Sequence, residues 1–138
     1  MPRVLGIDYG KKRIGLAHTD SEKMIASPLE TIFTKDVFMY LNNYFEKENV
    51  DSIVVGNPKT LQNKPALISA SVQKFVKQIE KKFKIPVYMI DERFTSKMAV
   101  KVLVDANIKK DKRKNKSMID KISATLILQS FLDRKNNI

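Results

Sequence analysis

Arg3-Val4-Leu5-Gly6-Ile7-Asp8-Tyr9-Gly10-Lys11-Lys12-Arg13-Ile14-Gly15-Leu16-Ala17-His18 is the stretch from which the architecture can be read. Two apolar runs flank a short polar segment that contains Gly10, the pattern of strand, glycine-assisted turn and strand. Asp8 stands at the far end of the first run, at the rim of a sheet and among residues otherwise suited to burial. Two roles are open to it. It can bond its own backbone as a turn residue before a glycine, or it can meet a cation or donor cluster that offsets the cost of a charge there. A phosphate-binding loop is excluded. Gly6 to Gly10-Lys11 is one residue short of the Walker spacing, Lys12 stands where Ser or Thr is required, and a hairpin follows instead of a helix.

With 138 residues the chain is expected to be one domain, 1–138, large enough for a substantial core. It has no cysteine, which excludes disulfides, thiolate zinc sites and a cysteine nucleophile. The one histidine, His18, excludes a His-rich metal site and reads as a partly buried strand residue. Any metal must then be held by carboxylates, which favours a hard ion such as Mg2+ or Mn2+. The formal charge of +11 attracts polyanions, of which nucleic acid is the commonest. No apolar run approaches membrane-spanning length and no signal segment opens the chain, so a cytoplasmic protein without a membrane partner is expected.

Working outward from the hairpin, residues 25–33 suit a third strand, confined to a sheet edge by Pro28. Val37, Phe38, Leu41, Tyr44 and Phe45 follow at helical spacing, with Thr34 or Asp36 as the cap. Residues 51–56 read as a short buried strand, and 57–64 as a polar loop. Pro65 suits the first turn of a helix whose apolar face is Ile68, Val72, Phe75, Val76, Ile79 and Phe83. Residues 86–90 read as another buried strand, ending in Asp91-Glu92-Arg93. Thr95 can cap a helix carrying Ala99, Val102, Leu103 and Ala106. The most basic run, 109–116, then leads into a last helix from Ser117 to about Leu132. Three antiparallel strands followed by strand–helix units imply a mixed α/β sheet covered by helices.

Ligands of such sheets gather at the carboxyl ends of parallel strands. Asp8 ends the first strand, and Asp91 and Glu92 end the last, so a shared rim requires only that these strands be parallel and central. Asp120, in the first turn of the last helix, fits a capping-box spacing after Ser117, with Asp in place of the usual Glu or Gln. It also shares a helix face with Ala124, Ile127 and Phe131, at about 100° per residue. That face should pack on the sheet, with Ser123 and Ala124 small enough for close approach. Carboxylates within about 4 Å of one another repel unless a divalent ion neutralises them. Two ions bridged by such acids form a clamp for phosphoryl transfer. Acids at the centre and lysines around them are the charge layout of a nuclease.

These residues match a family. The sequence resembles the YqgF family of RNase H-like proteins, described as pre-16S rRNA nucleases and as Holliday junction resolvase-like proteins. The resemblance runs over nearly the whole chain. It rests on Gly6-Ile7-Asp8-Tyr9-Gly10 with Lys12 to Ala17, Val54-Val55-Gly56-Asn57-Pro58, Asp91-Glu92-Arg93-Phe94-Thr95-Ser96, Lys112-Arg113-Lys114, and Asp120 with Ala124 and Ile127-Leu128-Gln129. It implies an RNase H-like fold with five strands in the order 3-2-1-4-5, flanked by helices. It implies a metal-dependent endonuclease whose catalytic and metal-holding acids are Asp8, Glu92 and Asp120. Lys12, Arg13, Arg93, Lys112, Arg113 and Lys114 become substrate-binding candidates. The implied task is maturation of the 5′ end of 16S rRNA in a bacterial cytoplasm, by a monomer or weak homodimer. One departure concerns the loop after the fourth strand, where Asn57 replaces the family's leucine and no glycine follows through Lys64.

Three other readings remain at this level. A Holliday junction resolvase-type endonuclease would use the same acids on branched DNA. A Gly-Ile-Asp-x-Gly hairpin also opens actin- and Hsp70-like ATPases, which hold nucleotide between two such domains where this chain supplies one. A non-catalytic nucleic-acid-binding factor in ribosome assembly or transcription accounts for the charge but gives the acids no task.

Overall fold

The computed structural model describes residues 3–20, 25–57, 68–91 and 116–136. The strands are β1 (Arg3–Asp8), β2 (Arg13–Thr19), β3 (Ala26–Phe33), β4 (Val50–Asn57) and β5 (Val87–Asp91). The helices are α1 (Val37–Lys47), which follows a 3-10 turn over Thr34–Asp36, then α2 (Ile68–Phe83) and α3 (Lys116–Asn136). The sheet order is β3-β2-β1-β4-β5, the 3-2-1-4-5 arrangement that the resemblance implies. β1 pairs antiparallel with β2 and parallel with β4, and β4 pairs parallel with β5. β1 is therefore the central strand, and its carboxyl end shares a rim with those of β4 and β5.

Alternation along the strands divides the core into two layers, because successive side chains point to opposite faces. Leu5, Ile7, Ile14, Leu16, Ile53 and Val55 pack with Val37 and Leu41 of α1 and with Val72, Phe75, Val76 and Ile79 of α2. Val4, Ala17, Val54 and Ile90 pack on the other face with Ala124, Ile127, Leu128 and Leu132 of α3. β1 and β4 are covered on both sides, which is why they read as continuous apolar runs. Among the described residues, no helix is long and apolar enough to cross a membrane.

Pro28 acts as expected. β3 is an edge strand, and its register against β2 slips where Leu16 pairs with Glu30 and Ala17 with Pro28, leaving Leu29 as the extra residue of a bulge. β5 starts one residue later than the sequence suggests. Pro86 cannot donate to the ladder, and its carbonyl instead accepts the Ile53 amide at 3.0 Å. Neither Thr34 nor Asp36 caps α1 with its side chain. The Thr34 hydroxyl is engaged elsewhere, donating to the Gly10 carbonyl at 2.6 Å. α3 begins at Lys116, so Ser117 lies inside the helix and not at its cap. α2 ends at Phe83, and the next residue, Lys84, has a left-handed φ of 56° that turns the chain toward β5. The expected helix through Ala99 to Ala106, and residues 58–64 of the polar loop, lie outside the described residues.

His18 is the partly buried strand residue expected. Its Nδ1 lies 2.9 Å from the Tyr44 hydroxyl of α1, on the face of the sheet away from α3. Burial, and then the charge of Arg3, hold the imidazole below its ordinary 6.5, with Glu48 opposing. Burial pushes the Tyr44 phenol up to about 12. The unfolded chain therefore takes up a proton at His18 more readily than the folded one. The contribution to stability is complete above about pH 6.5 and declines as the pH falls through that value toward the lower folded pKa. Urea unfolding at about pH 7.5 and about pH 5.5 should register a loss on acidification that is smaller in His18→Gln.

Candidate functional site

Asp8 closes β1 at the sheet's carboxyl rim, half-buried. Leu5 and Ile7 enter the α1–α2 core while Val4 enters the α3 core, so the alternation puts Asp8 on the α3 side. Its cross-strand partner is Gly15. A Cβ on Gly15 would collide with the backbone carbonyl of Asp120. The second turn of α3 thus rests directly on β2 at the residue opposite Asp8, one turn further in than a helix opening at Ser117 implies, and a glycine inside a strand is what permits that approach. Gly6 serves the same helix further along, where a Cβ would come within 2.8 Å of Leu128 Cβ and 3.1 Å of the Ala124 carbonyl. Residues 107 positions apart meet here, because Arg13 Nε donates to Asp120 Oδ2 at 3.1 Å.

Asp120 points where its helix face indicates. Ala124 and Ile127 are buried in the α3 core, and Phe131 packs at its margin. The Asp120 carboxylate keeps 24% of its exposure and the Arg13 side chain 32%, so the pair is partly open to solvent and not in the core. The counter-charge that an inward acid requires comes from Arg13, which the resemblance names as a phosphate ligand. One guanidinium can serve both tasks in turn, having five N–H donors of which this contact uses one. Asp8 also takes part in an interaction with its surroundings.

The loop between β1 and β2 is held from two sides. Tyr9 lays its ring against Phe75 of α2, with centroids 4.8 Å apart. Thr34 grips the loop from the far edge of the sheet, its hydroxyl on the Gly10 carbonyl and its amide on the Lys12 carbonyl at 2.9 Å. Lys11 and Lys12 are thereby presented to solvent beside the acids. Sequence reasoning assigned Thr34 to a helix end and did not single out Gly15. The signal for Gly15 was available, since a glycine between Ile14 and Leu16 has no turn to make.

Asp91 ends β5 opposite Asn57, at the same rim as Asp8. Glu92, Arg93, Lys112, Arg113 and Lys114 lie outside the described residues. Two of the three expected acids are therefore brought to one place. Among the described residues, no cluster of three or more His, Asp or Glu forms a complete metal cage. His18 takes no part, since it faces the other core and pairs with Leu5, well down the strand from Asp8. Two carboxylates with no nitrogen or sulfur donor among them form a set suited to a hard divalent ion.

A family model described as "RuvX: Holliday junction resolvase" matches residues 2–134. A relative from Christiangramia forsetii, named "Putative pre-16S rRNA nuclease", is 47% identical over 96% of this chain and 98% of its own length. Proteins of the same name from Phocaeicola vulgatus and Flavobacterium psychrophilum are 45% and 43% identical, each over at least 98% of both chains. Among solved structures, Thermus thermophilus RuvC bound to a Holliday junction aligns over 99% of this chain and 97% of that one, with a TM-score of 0.58 at 18% identity. Fowlpox virus resolvase bound to junction DNA aligns over 96% and 98%, with a TM-score of 0.62 at 13% identity. At such identities the likeness establishes the RNase H-like fold, and the relatives establish the family. The chain belongs to the RuvX (YqgF) family of nucleases.

Proposed function

We propose that this protein is a divalent-metal-dependent endonuclease that hydrolyses phosphodiester bonds in precursor 16S rRNA, with Asp8, Glu92 and Asp120 as its acids. The observation that carries the reading is the convergence of Asp8 and Asp120 on one glycine at the carboxyl rim of the central strand. A module that only binds nucleic acid has no use for two carboxylates brought together on a basic protein. Glu92 follows directly on Asp91, the last residue of β5. The donor set fits Mg2+ or Mn2+, held by Asp8, Asp120 and Glu92. Such an ion lowers the pKa of a bound water and offsets charge on the phosphate.

The chain's own residues do the rest. Asp8 and Asp120 are fixed on a strand end and a helix turn, so their spacing does not depend on a flexible loop. Lys12, anchored through its own carbonyl, offers its ammonium to the incoming backbone, and Arg93, Lys112, Arg113 and Lys114 are the further phosphate-binding candidates that the family resemblance implies. Arg13 holds Asp120 before substrate arrives and has donors left for a phosphate oxygen. The names of the curated relatives support rRNA as substrate, and the setting would be the cytoplasm, with the protein a monomer or weak homodimer.

The test is a parallel assay on precursor 16S rRNA and on a four-way DNA junction, with Mg2+ or Mn2+ and with a chelator. Metal-dependent cleavage of the precursor near the 5′ end of the mature sequence is expected. Preferential cutting of the junction would reassign the substrate to branched DNA, and no cleavage of either would end the nuclease reading.

A further inference from the structure

Phe33, the last residue of β3, is 60% exposed and lies at the same end of the sheet as the acids. Its register partner on β2 is Arg13, so by alternation both belong to the α3 side of the sheet. The preceding residue, Ile32, packs against the α1–α2 core, whereas Phe33 belongs to neither apolar cluster. One cation lies over it and another residue of that charge adjoins it in the chain's backbone pairing. Lys35 Nζ lies 5.8 Å from the ring centroid. The carbonyl of Lys12 is bonded to Thr34, the residue next to Phe33. Two strand spacings across and two residues along separate Phe33 from Asp8, which amounts to roughly 12 Å between Cα atoms.

A solvated phenylalanine with a lysine ammonium against its ring fits a ligand with a flat apolar face and flanking anionic charge. Nucleotides have that chemistry, and an aromatic ring can stack only on a base that is not enclosed in a duplex. We infer that Phe33 is a stacking platform for an unpaired base of the substrate, with Lys35 and Lys12 on the adjoining phosphates. The inference rests on the nucleic-acid substrate proposed above and narrows it. The strand next to the cut is single-stranded where it crosses β3. A protein partner would also cover an exposed phenylalanine, but it would have no general reason to favour two flanking lysines on a surface of this charge.

Fluorescently labelled single-stranded RNA, and a blunt duplex of the same sequence, are titrated in chelator with wild type, Phe33→Ala and Phe33→Trp. Phe33→Ala should weaken single-strand binding about 5- to 100-fold, with Phe33→Trp close to wild type and duplex binding changed less than about twofold. Removing one base at a time from the strand should reveal a position where wild type loses affinity and Phe33→Ala loses nothing further, the signature of a direct pair. Equal binding of the strand by wild type and Phe33→Ala overturns the inference and leaves Phe33 to a protein partner. So does a loss that is the same for duplex and base-free strands. The two proposals fail separately. Base-dependent binding without cleavage removes the nuclease and keeps the platform. Full cleavage with unaltered strand binding in Phe33→Ala does the reverse.

Discussion

Asp8→Asn is expected to lower the single-turnover cleavage rate by about 1,000-fold or more, equivalent to about 4 kcal/mol of barrier, while RNA binding stays unchanged or tightens. The amide has the shape of the carboxylate, so the half-buried end of β1 keeps its packing. What disappears is a full negative charge beside Asp120. A hard cation is then held less firmly, which removes the activation of water and the offset of charge on the phosphate. The same loss of charge eases the approach of a polyanion to a protein of net charge +11. Rapid-quench cleavage and a filter-binding titration separate the two effects. A variant that cuts within about tenfold of wild type would mean that the centre of the chemistry lies elsewhere.

Gly15→Ala should cost both stability and rate. The new methyl would run into the Asp120 carbonyl, and a helix backbone has less room to yield than a side-chain tip. Overpacking of this kind typically costs 1–3 kcal/mol, and a clash with backbone argues for about 3 kcal/mol. For a chain of this length that corresponds to a fall of roughly 10 °C in Tm. The relief available is a shift of the N-terminal part of α3 away from β2, which carries the Asp120 carboxylate with it. Displacement by about 1 Å at a reacting centre is worth about 100-fold in rate. Calorimetry and kcat on the same preparation check the pair. A stable, fully active Gly15→Ala protein would show that α3 does not need this approach to hold its acid.

These two positions differ in how far the sequence could reveal them. Asp8 is legible because an acid at the end of an apolar run contradicts its surroundings. Asp120 is legible because helix geometry puts it on the face of Ala124 and Ile127, and both are buried as that face requires. The apolar runs of β1, β2 and β4 mark them as buried strands without saying which residue enters which core, and the strand order follows from the family resemblance. What remained hidden are contacts between segments far apart in the chain. Nothing near Thr34 says that its hydroxyl will reach Gly10, and its residue type makes a helix cap the obvious role. Nothing near Arg13 says that an acid waits more than a hundred residues later, so the sequence leaves this cation at the start of β2 with only the phosphate-binding role that the resemblance implies. Local chemistry names a side chain's capacities, and packing selects among them.

The span of the Arg13–Asp120 pair also bears on when the molecule becomes competent during its synthesis. The hairpin with Asp8 is translated well before the helix with Asp120. A nascent chain still lacking that helix carries half of an acid pair and a cation without its mate. Such a chain would be inert until that helix leaves the exit tunnel and docks. Timing of this kind would keep the enzyme from acting on its surroundings before it is complete.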